Sequence, residues 1–224
     1  MIELRNWLLE CTKEMMLLEG AEDAAHDYDH LVRVIAIAET IQKREGGDLP
    51  TIWAAVAFHD IGQERERCHG GDHALIGAEM AADVLSNTPF PQHAIPEVQQ
   101  AIRDHRMTGA TIPQSLEGRI LYDADKIDCL GAIGIGRLYC ITGRYNQKIY
   151  SPVPSDLVEP VDPLIVRRLR RQAYYSPSIE FQLLFQNLPA RMTTTTGREL
   201  AMERYRYMAD FFKRLQMEAE GEFQ

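Results

Sequence analysis

The chain has 224 residues, of which 45% are hydrophobic, and a formal net charge of -9 at pH 7. This length and apolar content suffice for one domain with a buried core. The acidic balance argues against a nucleic-acid duplex as partner, and no stretch reaches the ~18 uninterrupted apolar residues of a membrane span. The first residues lack the basic start and long apolar region of a secretory signal. Four cysteines without CxxC spacing are typical of reduced thiols, so we expect a cytoplasmic protein.

Apolar residues recur with helical periodicity along almost the whole chain, and no alternating run of strand length occurs. The second predicted helix shows this most clearly, with Leu31, Val34, Ile35, Ala38 and Ile41 at i, i+3, i+4 spacing. We therefore predict an all-α fold of about seven to ten helices. The predicted helical segments are residues 2–19, 30–44, 50–60, 72–86, 95–106, 116–123, 126–144, 163–187 and 197–219.

Two segments between these helices are predicted to be irregular. Residues 62–72 are polar and charged, and residues 145–163 carry four prolines without periodicity. Loops of this length in a compact domain often cover a functional site. A surface connection or an oligomer contact is an equally good interpretation of residues 145–163.

Histidine and aspartate residues lie inside or beside several of the apolar runs. Their side chains are costly to bury unless something pairs with them, and a divalent metal ion is a common solution. The clearest case is the His59-Asp60 pair, which closes the apolar run from Ile52 to Phe58. In chain order the candidate residues are His30, His59, Asp60, His73, His105 and Asp125.

This order resembles the HD superfamily of metal-dependent phosphohydrolases, whose ligand pattern is H…HD…D, or H…HD…H…H…D where two metals bind. The sequence continues from the last aspartate in a way that resembles the small single-domain bacterial HD hydrolases, and the likeness covers about residues 25–215. It implies a single helical domain over residues 1–224, with the metal site at its centre. The motif core would be about residues 25–130, with the C-terminal helices of 163–219 packed on it. The matching blocks are Asp29–Val34, Phe58–Gly62, His73–Glu79, Asp123–Asp128 and Leu130–Arg137.

The resemblance implies that a divalent ion (Mn, Fe, Co, Ni, Zn or Mg) is bound by His30, His59, Asp60 and Asp125. Asp123 and Asp128 are then left as helix-capping groups or as groups that support the ligands. In two-metal members, histidines at the places of His73 and His105 bind a second ion or contact the substrate phosphate. Both roles are open for these two histidines.

Basic side chains beside the ligands could receive phosphate oxygens. Lys126 follows Asp125, and Arg33 lies one helical turn after His30. For Arg33, and also for Arg103, Arg106 and Arg137, a surface position or an ion pair is the plainer interpretation. Asp60 and Lys126 are the candidate catalytic residues.

The chain has no glycine-rich phosphate loop, no GxSxG motif and no cysteine nucleophile with a suitable partner. The resemblance therefore predicts hydrolysis of a phosphomonoester or phosphodiester, nucleotide-like in character, by a metal-activated water. Gln63 stands where some HD nucleotidases have a glutamate that handles protons; Glu64 is the nearest carboxylate, and the general acid is unassigned. A di-iron oxygenase and a catalytically silent nucleotide sensor are the alternatives. The expected partner is a small phosphorylated substrate, and a homodimer is compatible with the sequence.

Overall fold

The computed structural model describes residues 2–19, 28–106, 112–154, 169, 170, 172 and 174–222. Ten α-helices and three short 3-10 helices occur in this part of the chain, and it contains no β-strand. The predicted all-α fold is confirmed. The helices are α1 (Ile2–Glu19), α2 (Tyr28–Glu45), α3 (Leu49–Phe58), α4 (Gln63–His69), α5 (His73–Ser86), α6 (Ile95–Asp104), α7 (Leu116–Asp128), α8 (Gly131–Arg144), α9 (Pro177–Leu183) and α10 (Thr195–Ala219).

The polar segment 62–72, predicted to be a loop, instead contains helix α4. No residue of α4 is buried, so the helix has no apolar stripe that a periodicity search could detect. An ion pair between Glu64 and Arg67, one turn apart, supports it. The prediction of an irregular connection was wrong for residues 63–69.

The predicted break between residues 123 and 126 was also wrong, because α7 runs without interruption to Asp128. The chain leaves the helix at Cys129 and Leu130, and Leu130 is extended. Gly131 has φ 72°, a conformation that favours glycine. Asp125 therefore lies in the last turn of α7 rather than at a helix start.

The helix predicted over 163–187 is interrupted in its described part. Ser176 is extended, and Pro177 begins the short helix α9. A proline disfavours helical conformation in the residue before it and is well suited to a first helical turn, which explains the break. The earlier part of this segment, up to residue 168, and residues 155–163 of the proline-containing connection lie outside the described residues.

The structure divides into two compact units, residues 1–125 with 193–197, and residues 126–192 with 198–224. In the first unit α3 packs against α1, α2, α5 and α6. Every residue from Thr51 to Phe58 is buried, as expected for a helix that is apolar all round. Asp48 accepts a hydrogen bond from the Thr51 amide (3.0 Å) and so caps the start of this helix.

In the second unit α9 packs against α8, and aromatic rings of α9 and α10 stack. The ring centroids of Phe181 and Phe212 are 4.7 Å apart. Arg170 donates a hydrogen bond to the buried Glu180 (2.9 Å), which satisfies that carboxylate. Among the described residues, no helix is both long and apolar enough to cross a membrane.

Candidate metal centre

The six residues predicted to form a site come from five helices of the first unit, and each lies at or beside a helix end. All four histidines are buried, with at most 5% of their surface exposed. In chain order the residues are His30 in the first turn of α2, His59 and Asp60 directly after α3, His73 at the start of α5, His105 directly after α6, and Asp125 in the last turn of α7.

Two glycines allow the end of α3 to approach α5 closely. A Cβ atom at Gly62 would lie 2.3 Å from the His73 carbonyl oxygen and 2.8 Å from the Gly77 amide nitrogen. A Cβ atom at Gly77 would lie 3.3 Å from the Phe58 carbonyl oxygen. Because glycine has no side chain, the backbone after α3 can pass directly beside the first turn of α5.

The Asp60 carboxylate lies among all four imidazole rings. Its Oδ2 atom is 3.3 Å from His59 Nε2 and 3.8 Å from His30 Nε2. Its Oδ1 atom is 3.6 Å from His105 Nε2 and 3.8 Å from His73 Nε2. One carboxylate thus presents a separate oxygen to each of two histidine pairs.

Asp125 adds a second carboxylate to the pair formed by His30 and His59. Its Oδ1 atom is 3.6 Å from His30 Nε2 and 3.8 Å from His59 Nε2. Donor atoms of His30, His59 and Asp125 all lie within 4.8 Å of one another, and those of His59, Asp60 and His105 do so as well.

These separations fit a metal ion. Donors at about 2.0–2.4 Å from a shared ion, in tetrahedral or octahedral arrangement, lie about 3–4 Å apart. His59 Nε2 is buried and has no hydrogen-bond partner among the described residues, although carboxylate oxygens lie at 3.3 and 3.8 Å. A buried imidazole nitrogen that faces two carboxylates at these distances is an arrangement that a cation would satisfy.

The opposite edge of two rings is fixed by main-chain carbonyls. His59 Nδ1 donates to the Val56 carbonyl oxygen at 2.8 Å, and His105 Nδ1 donates to that of Ile102 at 2.6 Å. Because a carbonyl can only accept, these bonds place the proton on Nδ1 and leave the Nε2 lone pair facing Asp60 in the neutral ring.

A side chain, rather than a carbonyl, fixes the third ring. His73 Nδ1 donates to Glu66 Oε2 at 2.7 Å. Arg106 lies 3.9 Å from Glu66 and 2.6 Å from Asp72. The prediction that Arg106 could form an ion pair agrees with this contact. Glu66 carried no signal in the sequence beyond its place in a polar segment.

The charge balance of the centre favours a cation. Burial by itself lowers the pKa of His59, but the carboxylates of Asp60 and Asp125 outweigh burial and raise it to about 10. In the metal-free protein this imidazole therefore holds a proton at neutral pH, and the proton supplies the positive charge that the two aspartates require.

The part of the chain that carries this centre matches a known protein family. The family model of the HD domain matches residues 27–130, which contain all six residues described above. This part of the chain is therefore similar to the HD domain.

Relatives extend the likeness beyond the HD domain itself. The chain is 27% identical over 207 residues to the uncharacterized protein YpgQ of Bacillus subtilis, which covers 89% of this chain and 87% of YpgQ. A crystal structure of a predicted HD superfamily hydrolase from an uncultured Thermotogales bacterium is 28% identical, with a TM-score of 0.63, and covers 97% of this chain and 92% of that one. The structure of YpgQ in complex with ADP has a TM-score of 0.71 at 22% identity, covering 97% and 95%.

Two further aspartates within residues 27–130 contact groups other than the six residues of the centre. Asp123 is fully buried, and its carboxylate accepts hydrogen bonds from the amides and hydroxyls of Thr193 and Thr194, at 2.7–2.9 Å. Asp128 pairs with Arg137 at 2.9 Å. The capping role expected for Asp123 agrees with these bonds. Arg137 was expected either at the surface or in an ion pair, and it forms an ion pair.

Lys126 and Arg33 were predicted to bind substrate phosphate, and Glu64 was the nearest carboxylate for proton transfer. Lys126 follows Asp125 in α7 and is buried, and Arg33 is half-buried on α2. Hydrogen bonds from Arg67 lower the pKa of Glu64 to about 2, so this carboxylate is a weak candidate for a general acid near neutral pH.

Proposed function

We propose that this protein is a metal-dependent phosphohydrolase that cleaves a phosphomonoester or phosphodiester of nucleotide-like character. One observation carries the proposal: the Asp60 carboxylate lies 3.3–3.8 Å from four buried imidazole nitrogens. Imidazole and carboxylate donors at these separations suit a divalent ion.

In this proposal His30, His59, Asp60 Oδ2 and Asp125 hold one divalent cation. The other Asp60 oxygen, with His73 and His105, holds a second cation or receives the substrate phosphate. Mn, Fe, Co, Ni, Zn and Mg are all compatible with this nitrogen and oxygen donor set. When bound, such a cation lowers the pKa of water and polarises a phosphoryl oxygen.

The side chains of the protein have three tasks in this reaction. The histidines must be neutral to ligate, and the carbonyls that accept from Nδ1 of His59 and His105 keep the ligating nitrogen deprotonated in the neutral ring. Asp60 and Asp125 balance the cation charge. Arg33 and Lys126 are proposed to receive phosphoryl oxygens, because a phosphate that faces these aspartates needs positive charge beside it.

A nucleotide-like substrate is supported by the relative YpgQ, whose crystal structure was obtained in complex with ADP. An anionic nucleotide is also compatible with a protein of net charge -9, because local cations dominate the field where phosphate binds.

The experiment combines metal analysis of freshly purified protein with phosphate release from nucleoside mono-, di- and triphosphates and a phosphodiester. Each substrate is tested with Mn, Co, Ni and Mg. The control is Asp83→Asn, which removes an exposed carboxylate of α5. We expect metal-dependent release that Asp60→Ala abolishes and Asp83→Asn retains.

Three results would reject the proposal. Metal-independent release would contradict it directly. Nucleotide binding without turnover under any metal would indicate a sensor. Two redox-active irons with oxygen consumption would indicate an oxygenase.

A further inference from the structure

The hydrogen bond between His73 and Glu66 distinguishes this ring from two of its neighbours. His59 and His105 donate from Nδ1 to main-chain carbonyls, whereas His73 donates to the Glu66 carboxylate at 2.7 Å. A carboxylate that accepts from a metal-ligating imidazole fixes its tautomer and makes it a more basic ligand. The ring of His73 is therefore controlled by a charged side chain.

Besides His73, Glu66 lies near the guanidinium of Arg106. Arg106 directly follows His105 and lies 3.9 Å from Glu66 Oε1. The same guanidinium pairs with Asp72 Oδ2 at 2.6 Å, and Asp72 directly precedes His73. The backbone beside His105 and the backbone beside His73 are thus joined by one network of charges, in which Arg106 links Asp72 with Glu66.

The two histidine pairs differ in the negative charge beside them. His30 and His59 lie near two carboxylates, Asp60 Oδ2 and Asp125 Oδ1. His73 and His105 face the other Asp60 oxygen at 3.8 and 3.6 Å. The binding of a dication by His73 and His105 would therefore depend more on negative charge at the far side of these rings, where Glu66 contacts His73 Nδ1.

We propose that Glu66 is the positioning residue for a second divalent cation, bound by His73, His105 and Asp60 Oδ1. This rests on the proposed function, in which the first cation is held by the other four donors. Glu66 acts through His73: its carboxylate keeps the proton on Nδ1 and directs the Nε2 lone pair toward Asp60.

The test measures Mn²⁺ binding to the whole chain by calorimetry and elemental analysis, with Mn²⁺ as the only added ligand. Glu66→Ala removes both the acceptor and its charge, whereas Glu66→Gln keeps an acceptor of the same shape without the charge. The matched control is Glu79→Gln, an exposed carboxylate on α5. Circular dichroism and thermal unfolding check that each variant folds.

We expect two bound Mn²⁺ ions in the unmodified protein and in the Glu79→Gln control. In Glu66→Ala the weaker site should lose about 10- to 100-fold in affinity, while the tighter site is unchanged. Glu66→Gln should fall between them. Electron paramagnetic resonance should show a coupled Mn²⁺ pair in the unmodified protein and isolated Mn²⁺ in Glu66→Ala.

Three results would overturn the inference. The first is two ions bound by Glu66→Ala as tightly as by the unmodified protein. The second is a single ion in the unmodified protein, with metal-dependent hydrolysis intact, which leaves the proposed function standing. The third is loss of both ions in a folded Glu66→Gln, which would make the network a general structural support. By contrast, failure of the unmodified protein to bind Mn²⁺ or another divalent ion at all would contradict the proposed function as well.

Discussion

Asp60→Asn perturbs the centre with the least change in shape. The carboxylate presents one oxygen to the pair His30 and His59 and the other to the pair His73 and His105. An amide has one oxygen and one NH₂ group, and the NH₂ group cannot ligate a metal. Whichever way the amide points, one histidine pair therefore loses its shared oxygen, and the other keeps a neutral ligand in place of an anionic one.

The size of the effect follows from burial. Removing one partner of a buried charge pair costs about 3–5 kcal/mol. The Asp60 side chain is 15% exposed, so the lower end of that range applies. Since about 1.4 kcal/mol is a factor of ten, about 3 kcal/mol corresponds to a metal affinity weaker by about 10²-fold.

The assay is Mn²⁺ titration by calorimetry, with phosphate release and circular dichroism on the same preparations. The control is Asp83→Asn, which makes the same aspartate-to-asparagine change at an exposed position of α5. This variant should behave as the unmodified protein. Asp60→Asn should bind at most one ion, weakly, and should release no phosphate above background. If the folded variant bound two ions with unchanged affinity, the role assigned to Asp60 would be wrong.

Three further predictions concern pH, the neighbouring helix and backbone packing. Folding raises the pKa of His59 from 6.5 to about 10. Between these pH values the folded metal-free protein holds a proton on His59 that the unfolded chain has lost. The free energy of unfolding should therefore fall as pH rises from 6.5 to 10. Chelator-treated protein measured by thermal unfolding checks this, and a flat profile, or the same fall in His59→Gln, would contradict it. Glu64→Ala removes the ion pair with Arg67 and the hydrogen bond from Cys68, and it should retain metal content and phosphate release. An inactive variant that retains its metal would instead identify Glu64 as the proton-handling group. Gly62→Ala puts a Cβ atom 2.3 Å from the His73 carbonyl oxygen, so it should destabilise the fold by at least about 1–3 kcal/mol in urea unfolding, and an unchanged midpoint would count against the close approach.

The candidate ligands could be chosen from the sequence even where the helix boundaries were wrong. Asp125 was expected at a helix start and lies in the last turn of α7, yet it still reaches His30 and His59. The choice depended on residue type and chain order, and a helix end displaced by a few residues does not alter either. Helix α4 was missed because its residues are not buried, and a helix without a buried face leaves no periodic signal.

Glu66 could not be identified from the sequence. Its bond to His73 joins residues seven positions apart, from one short charged helix to the start of the next. Nothing in the local pattern separates this glutamate from Glu64, which instead pairs with Arg67. The two glutamates differ in the direction of their side chains, because Glu66 points to His73 and Glu64 to Arg67. These directions depend on how α4 packs against α5.

By itself, the sequence determined that the chain is helical and that a handful of histidines and aspartates sit at the ends of buried helices. Both follow from local chemistry: apolar periodicity favours helices, and ionisable groups in apolar surroundings need partners. Tertiary structure decided how those groups meet. His30 and Asp125 lie far apart in the chain, and only the tertiary fold brings their side-chain atoms to 3.6 Å. The division of the Asp60 oxygens between two histidine pairs is likewise a product of packing, because it requires glycine at position 62 and the close passage of α3 beside α5.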